Sequence, residues 1–447
     1  MRPCNTVFTE YLHLNMVSLY SILLSLCYFV GAYIGRKDIF SPRFIFNVFA
    51  WLKNIPYAVD YIRINNIADE TIDSYFLFKF ISFICVNVGI TIYENKSRYR
   101  KYVYQENKQR KNSAYLRTGI IVSVIGIAIK IKTILEGGGV FYILSHLQAR
   151  KEIMAGQYYN ELFANSLLTC GVLLTLLCYI KEKNKKHLYI FVLIFAITTF
   201  GLIVFGARRP AMMLLIQVIM LYHFSSSKIK ICSILKIKSL ITICVISLFV
   251  LLMPMLRSAS ETDYVNNPTK WVEGAVDNAN TLFREFSYCD GDLFAFDYFK
   301  NHEYWYGASY LNIPLQVIPR SIYPQKPPMD DGMYLLNMMY GEKVTPNMAT
   351  ADLYYQTSVP FTLESSLYSN FGLLGIILGA LLVGMFYQYI YKVLISCSCP
   401  IVMILVYQEV IFVFVPSVLH ATSAIIICGV YWIIFKLLFK FKIRRIQ

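Results

Sequence analysis

The apolar residues of this chain come in blocks of about 20, the length of a helix that crosses a lipid bilayer. This spacing constrains the fold more strongly than any other feature of the sequence. Of the 447 residues, 57% are hydrophobic and only 15% are charged, against about 25% charged residues in soluble proteins. The sequence therefore predicts an all-α polytopic membrane protein.

We place about eleven transmembrane helices, within a range of ten to twelve. They cover residues 12–34, 39–58, 75–93, 118–135, 161–180, 188–205, 211–224, 239–256, 365–391, 401–415 and 417–435. The second is the weakest, because Arg43, Lys53 and Asp60 flank or interrupt it. The chain is thus divided into spans one to eight (1–256), a large polar segment (257–362), and the last three spans with a tail (363–447).

Charge gives the predicted orientation. Residues 96–117 contain eight Lys or Arg and one Glu, and loops rich in Lys and Arg stay in the cytoplasm. The polar segment has 13 acidic and 7 basic residues, a local charge of −6, whereas the rest of the chain carries +21. We expect the polar segment to form a periplasmic lid of helices and loops, with the N-terminus on the same side. The basic pI then reflects membrane topology, and no nucleic-acid partner is expected.

Two stretches of the polar segment have a predicted local structure. An amphipathic helix is expected from Pro268 to Phe286, with Asn267 as its N-cap. The Pro-rich stretch 318–328 must be extended or turning, because proline lacks an N–H and restricts the residue before it.

Six arginines fall on the predicted outer side, against the usual bias of membrane proteins: Arg150, Arg208, Arg209, Arg257, Arg284 and Arg320. A guanidinium binds phosphate oxygens with two hydrogen bonds and stays charged at any pH, so these residues could clamp a lipid diphosphate. Alternatively, they pair with local carboxylates or reach the headgroups. The tight turn at 206–210, which contains two of them, favours the functional interpretation.

Three side chains on the predicted outer side could accept a proton: Glu364, His420 and Asp352. Glu364 lies where the polar segment enters the ninth span, so its carboxylate could serve as a base. It could equally form an ion pair with an Arg. We take Glu364 as the candidate base, with His420, four residues after Pro416, as the second choice.

Two further groups of residues have alternative interpretations. Glu409 and Lys130 lie inside predicted spans and are expected to face the bundle interior, whereas Lys132 could reach outward. The EYWYG cluster at 303–307, centred on Trp305, is the best candidate for stacking on a sugar ring. Its alternative is the core of the lid or the aromatic belt at the membrane interface.

Four features together resemble the bacterial O-antigen (Wzy-type) polymerases, also called oligosaccharide repeat-unit polymerases. They are the Gly-x-Arg turn at 206–208 before a short span, one large outer loop before the last three spans, the Pro-Arg…Pro-x-Lys-Pro run at 319–327, and Asn370-Phe371-Gly372…Gly375 at the ninth span. They cover most of the chain from 118 to 435. Arg320 and Gly332 are the nearest approach to the Arg-then-Gly motif of that family.

The resemblance implies a fold like that of the membrane glycosyltransferases of the C type and a reaction at the periplasmic face of the bacterial inner membrane. The substrate would be an undecaprenyl-diphosphate-linked oligosaccharide, whose growing chain moves onto a sugar hydroxyl of a second unit. A chain-length regulator protein is a candidate partner. No metal or cofactor is expected, because guanidinium groups can stabilise the departing diphosphate. The catalytic residues would be Glu364, Arg320 and His420, and the substrate-binding residues Arg150, Arg208, Arg209, Arg257, Arg284, Lys326 and Trp305.

Two other functions remain open at this point. The chain has no Walker loop and no nucleotide-sugar motif, so transfer from a cytoplasmic nucleotide donor is not expected. A ligase that joins finished chains to a lipid core would share the same chemistry. A non-enzymatic flippase for lipid-linked oligosaccharides would need only short loops. Accumulation of single-repeat glycolipid in a deletion strain indicates a polymerase, and accumulation of long unligated chains indicates a ligase.

Overall fold

The computed structural model describes residues 4–65, 67–95, 102–104, 112–146, 153, 157–206, 208–229, 287–316, 318, 322–396, 401–413, 415–439 and 443–445. These residues are predominantly helical. The first ten helices, in chain order, are α1 (Cys4–Gly35), α2 (Pro42–Asn54), α3 (Pro56–Asn65), α4 (Asp69–Asn95), α5 (Asn112–Glu136), α6 (Val140–Ser145), α7 (Tyr158–Glu182), α8 (Lys185–Ile203), α9 (Arg208–Ser225) and α10 (Cys289–Asn301). Five more are α11 (Asn312–Leu315), α12 (Gly332–Met339), α13 (Leu363–Ser396), α14 (Ile401–Gln408) and α15 (Val418–Phe439).

Short irregular elements complete the described chain. Single 3-10 turns occupy Ala308–Leu311 and Thr350–Asp352, and a π-helical turn occupies Glu409–Val413. Two strands of three residues, β1 (Tyr102–Tyr104) and β2 (Ile443–Arg445), pair in antiparallel register. Residues 322–328 of the Pro-rich stretch contain no helix, as predicted.

Six of the described helices are long and apolar enough to cross a membrane: Met16–Gly35, Asp69–Asn95, Ala114–Glu136, Asn160–Glu182, Lys185–Ile203 and Leu363–Ser396. They coincide with predicted spans one, three, four, five, six and nine. Shorter apolar helices at Pro210–Ser225, Ile401–Phe412 and Val418–Ile433 coincide with spans seven, ten and eleven. The eighth span (239–256) and the amphipathic segment at 268–286 lie outside the described residues. The described helices are thus compatible with a helical membrane protein, whereas the total of eleven spans and the periplasmic lid stay predictions.

The second predicted span differs from the structure. The chain forms two short helices there, because α2 ends at Asn54 and α3 begins at Pro56, and a proline ring clashes with the preceding helical turn. With 13 and 10 residues, neither helix reaches the length of about 20 residues that a bilayer requires. Losing this crossing would move the N-terminus to the cytoplasmic side of the predicted topology.

The ninth span is broken at its start. Gly372 has φ 61° and ψ −152°, a conformation that glycine adopts without a steric penalty. Residues 363–371 fold back along the rest of α13, so that Leu367 lies over Gly375 and Gly379. A Cβ added at either glycine would approach Leu367 atoms to 2.4 Å and 2.3 Å. The glycines therefore permit a short helix to pack directly on the membrane-length helix that follows.

The described residues form two compact units. The first contains Met1–Tyr99, Leu282–Lys392 and Glu409–Ile426, and the second contains Arg100–Thr281, Val393–Gln408 and Ile427–Gln447. These packing units cut across the sequence ranges 1–256, 257–362 and 363–447. The described part of the polar segment belongs to the same unit as α1–α4 and α13.

The first unit has an aromatic core. Phe78 of α4 meets Phe296 of α10 edge to face at 4.9 Å, and Phe296 meets Tyr368 of α13 in the same way at 5.5 Å. Such pairs add about 0.5–1.5 kcal/mol each beyond the burial of their area. The core thus joins three helices that are far apart in the sequence.

The intramembrane charges lie as predicted. In the second unit, Lys130 is 3% exposed and pairs with Glu161 between α5 and α7. Lys132 points outward, with its side chain 68% exposed and 3.7 Å from Glu136. In the first unit, Glu409 is buried.

Candidate functional site

A buried lysine joins two carboxylates in the first unit. Lys79 Nζ donates to Asp292 Oδ2 and to Glu364 Oε2, both at 2.6 Å. Lys79 belongs to α4, Asp292 to α10 and Glu364 to the start of α13, and the three are 0%, 2% and 5% exposed. We call this group the Lys79 triad.

The triad holds one negative charge too many for full neutrality. Burial raises the pKa of Asp292, and the Lys79 ammonium opposes that shift. The direction is expected, because an uncompensated charge in a low-dielectric interior is costly. Asp292 therefore takes up a proton more readily than an exposed aspartate, and its Oδ1 also accepts a hydrogen bond from the Thr362 hydroxyl at 2.6 Å.

This geometry corrects the role expected for Glu364. The ion pair that was its alternative is present, but the partner is Lys79, 285 residues away in the sequence, and not an Arg. A carboxylate that is bonded to an ammonium and closed off from solvent cannot reach a substrate hydroxyl. The structure therefore favours a structural role for Glu364 over that of a base.

The structure also argues against the sugar-stacking role expected for Trp305. Its side chain is 9% exposed, and three rings pack edge-on against it: Phe299, Tyr334 and Phe361. A sugar cannot stack on a ring that is covered in this way. In the same cluster, Tyr306 is 72% exposed, so it replaces Trp305 as the candidate stacking residue.

The structure likewise argues against the substrate-binding role expected for Lys326. Its side chain is buried, and its ammonium donates to the carbonyl oxygens of Gln316 at 2.9 Å and Ile318 at 2.8 Å. These bonds hold the Pro-rich stretch against the end of α11. The expected contact with a substrate phosphate would require this lysine to leave its partners, which argues for a structural role.

The arginines stay predictions. Arg150, Arg257, Arg284 and Arg320 lie outside the described residues. Arg208 and Arg209 are the first two residues of α9, directly after the turn at Gly206, which has φ 69°. Both arginines thus lie at the amino-terminal end of a helix, whereas the predicted turn included residues 208–210. Asp352, the third proton acceptor considered, lies exposed in a 3-10 turn.

An apolar groove of about 680 Å³ runs along α13 in the first unit. One wall consists of α13 residues on a single helical face: Leu374, Gly375, Leu378, Gly379, Leu382 and Phe386. Tyr306, Tyr310 and Pro416 line the groove at the end where α13 folds back. From residue 374 to residue 386 the groove is about 18 Å long, at 1.5 Å of rise per residue.

Buried polar groups lie next to that end of the groove. The Tyr310 and Ser366 hydroxyls both donate to the Pro416 carbonyl, at 2.8 Å and 2.5 Å. Next to them, Ser417 Oγ lies 2.9 Å from Nδ1 of the half-buried His420. Of the predicted proton acceptors, His420 is thus the one in contact with Ser417, which follows the groove residue Pro416 in the chain. We call these residues the polar end of the groove.

Asp331 is a further ionisable residue near the polar end, and sequence reasoning missed it. It is 2% exposed, and its Oδ2 accepts the backbone N–H of Val418, the first residue of α15, at 3.2 Å. Burial raises the pKa of Asp331 to about 7, the neighbouring Asp330 adds to the shift, and the Val418 N–H opposes it. In the sequence, Asp-Asp-Gly before an apolar run indicates only a local turn or cap, and nothing signals a partner 87 residues later.

The Lys79 triad generates the first prediction. Lys79→Met leaves two buried carboxylates facing each other, so it should lower the free energy of unfolding by about 3–5 kcal/mol. Asp292→Asn keeps the Lys79–Glu364 pair and mimics the protonated acid, so its effect should be much smaller. Thermal unfolding of the purified chain in detergent measures both, with the exposed Lys132→Met as the matched control. Equal midpoints for the two Lys→Met variants would contradict the structural role of the triad.

Asp331 generates a prediction about pH. Because its pKa in the folded chain is about 7, against 3.8 for an ordinary aspartate, the folded state binds the proton more tightly than the unfolded state. Its contribution to the free energy of unfolding should therefore fall as the pH rises from about 4 to about 7. Asp331→Asn can still accept the Val418 N–H but does not titrate. Relative to the wild type, the thermal midpoint of this variant should rise as the pH increases from about 4 to about 7, and parallel pH profiles would refute this.

Comparisons with protein-family models, with curated proteins and with solved structures find no match for this chain. No relative therefore supplies a function or a set of site residues. What the chain does has to be inferred from its own residues and their geometry.

Proposed function

We propose that the chain is a lipid-diphosphate-dependent glycosyltransferase that polymerises undecaprenyl-diphosphate-linked oligosaccharide units into a surface polysaccharide. It would act as a multi-pass protein of the bacterial inner membrane, with its active face in the periplasm. The observation that carries the proposal is the apolar groove along a membrane-length helix, with the exposed Tyr306 ring at one end and hydrogen-bonded polar groups buried next to it. A lipid-linked sugar needs such an arrangement, because its two ends require opposite environments.

The groove suits the lipid part of the substrate. Its wall on α13 consists of apolar side chains and glycines, and Leu374, Leu378 and Leu382 are each at least 60% exposed. Glycines at 375 and 379 also line the groove, where Leu367 packs directly against them. A prenyl chain buried there gains about 25 cal/mol for each Å² of apolar surface removed from a polar surrounding.

The polar end suits the sugar and the acceptor. Tyr306 offers an exposed ring for stacking, and His420 offers an imidazole. In the tautomer whose Nδ1–H donates to Ser417 Oγ, the other ring nitrogen is unprotonated, which is the form that a general base requires. His420 thus takes over the role first expected for Glu364.

Beyond the lipid groove and the base, the proposed reaction requires a group that stabilises the departing diphosphate. The acceptor hydroxyl oxygen attacks the anomeric carbon, the bond from that carbon to the diphosphate oxygen breaks, and the diphosphate leaves with the electron pair. The hydroxyl proton passes to His420. The departing negative charge would be stabilised by arginines, for which Arg320 remains the predicted residue within the polar segment.

Filling the groove tests the proposal. Leu382→Trp places a large ring at an exposed position in the groove, so the KM for lipid-linked repeat units should rise at least about tenfold, which corresponds to about 1.4 kcal/mol of lost binding. Leu373→Trp is the matched control, because Leu373 is exposed on the same helix and does not line the groove. The assay uses purified protein and repeat-unit glycolipid as the only sugar substrate. Long lipid-linked products indicate a polymerase, whereas product that forms only with a lipid-core acceptor indicates a ligase.

Two glutamine variants test the identity of the base. His420→Gln should lower turnover about 100- to 10,000-fold, the usual loss when a general base is removed. Glu364→Gln should retain turnover per folded molecule, although less protein will fold. The measurement is polymerisation normalised to folded protein. A folded but inactive Glu364→Gln together with an active His420→Gln would return the role of base to Glu364.

A further inference from the structure

Three side chains with metal-binding atoms meet at the hairpin between α7 and α8 in the second unit. Cys178 and Glu182 are four residues apart, so they share one face of the last turns of α7. Lys183 then turns the chain with φ 55°, and the Asn184 side chain caps α8. This tight turn brings His187, the third residue of α8, back over the same face. Among the described residues, no other group of three or more His, Cys, Asp or Glu is close enough to share a metal ion.

The three ligand atoms converge on one point. His187 Nδ1 lies 3.0 Å from Glu182 Oε2 and 3.6 Å from Cys178 Sγ, and all three atoms lie within 4.8 Å of one another. A single ring nitrogen cannot make two good bonds at once, because it carries either one proton or one lone pair. A cation bound by all three groups explains why the Cys178 thiol and the Glu182 carboxylate both lie close to His187 Nδ1.

The spacing fits zinc. With bonds of about 2.3 Å to sulfur and about 2.0–2.1 Å to nitrogen, the two atoms of a tetrahedral site lie about 3.5 Å apart, close to the distance found here. We propose that Cys178, Glu182 and His187 bind one zinc ion, with water as the fourth ligand. The mixed donor set of thiolate, carboxylate and imidazole lies within the ligands that zinc accepts.

Charge and access are consistent with this proposal. The hairpin carries four lysines, at 181, 183, 185 and 186, and all are exposed, so solvent and salt screen their charges. A thiolate and a carboxylate supply two negative charges, which balance Zn²⁺. Cys178 is buried, while the side chains of His187 and Glu182 are 15% and 31% exposed, which leaves an open side for the ion and its water. On binding, the Cys178 thiol releases its proton to solvent.

The role of this site is structural and does not depend on the proposed transferase activity. It would fasten the α7–α8 hairpin by joining two helices through one ion. The competing interpretation is a His187–Glu182 hydrogen bond with a thiol beside it, which needs no metal. Metal content and spectra separate the two without an activity assay.

The experiment uses the full chain purified in detergent without chelator. Elemental analysis should find about one zinc ion per chain, and replacement of zinc by Co²⁺ should give a thiolate-to-cobalt absorption band in the near ultraviolet. Cys178→Ser should lose both signals. The matched control is Cys170→Ser, because Cys170 is buried eight residues earlier on α7 and is not part of the group.

A second variant guards against misfolding. Glu182→Gln changes a partly exposed side chain, so it should fold and should bind zinc more weakly than the wild type. Absence of both zinc and the cobalt band in the wild-type chain would overturn the proposal. Equal metal content in the wild type, Cys178→Ser and Glu182→Gln would do the same.

Discussion

The first unit depends on one buried ammonium. Lys79 bonds two carboxylates from helices that lie more than 200 residues further along the chain, and burying these groups costs free energy that the bonds only partly return. Such a group therefore contributes little net stability, and it specifies which helices pack together. If α10 or α13 shifted along α4 by one turn, a charge would be left unpaired in the interior. The aromatic rings around the triad have no such need for charged partners. The triad therefore sets the register of the helices, and the rings pack in the space between them.

The fold-back at Gly372 creates the groove and its polar end together. The short helix at 363–371 carries Ser366 to the Pro416 carbonyl, and Leu367 covers the glycines at 375 and 379. Tyr310, from the polar segment, reaches the same carbonyl. Residues from three separate stretches of the chain thus meet at one end of an apolar groove. A straight ninth span would leave Ser366 a full turn or more beyond Pro416 and would remove this meeting point.

Hydropathy predicted most of the helices, because a bilayer requires long apolar stretches whatever their partners are. It was wrong at 39–58, where Pro56 overrides an apolar average. The site was predicted less well, since residue type does not reveal the partner. Glu364 was chosen for its position at the start of the ninth span and Lys326 for its place in the Pro-rich stretch. In the structure, Lys79 binds Glu364, and two backbone carbonyls accept hydrogen bonds from Lys326. Trp305 was chosen for its aromatic ring, but nothing in the sequence distinguishes a covered ring from the exposed Tyr306 beside it. The proposed zinc ligands Cys178, Glu182 and His187 match no familiar spacing, because the α7–α8 hairpin that brings them together is not evident from the sequence.

The small pairing of β1 with β2 has a topological consequence. Tyr102–Tyr104 hydrogen-bonds to Ile443–Arg445 as an antiparallel ladder, and two strands cannot form such a ladder from opposite sides of a lipid bilayer. If the apolar helices cross a bilayer as predicted, the chain between Tyr104 and Ile443 has to cross it an even number of times. Any arrangement of the helices between these strands has to satisfy that parity, whichever side the basic loop occupies. If the predicted number of spans after residue 104 is wrong, spans there must be added or removed in pairs. Before residue 104, a single span can be added or removed.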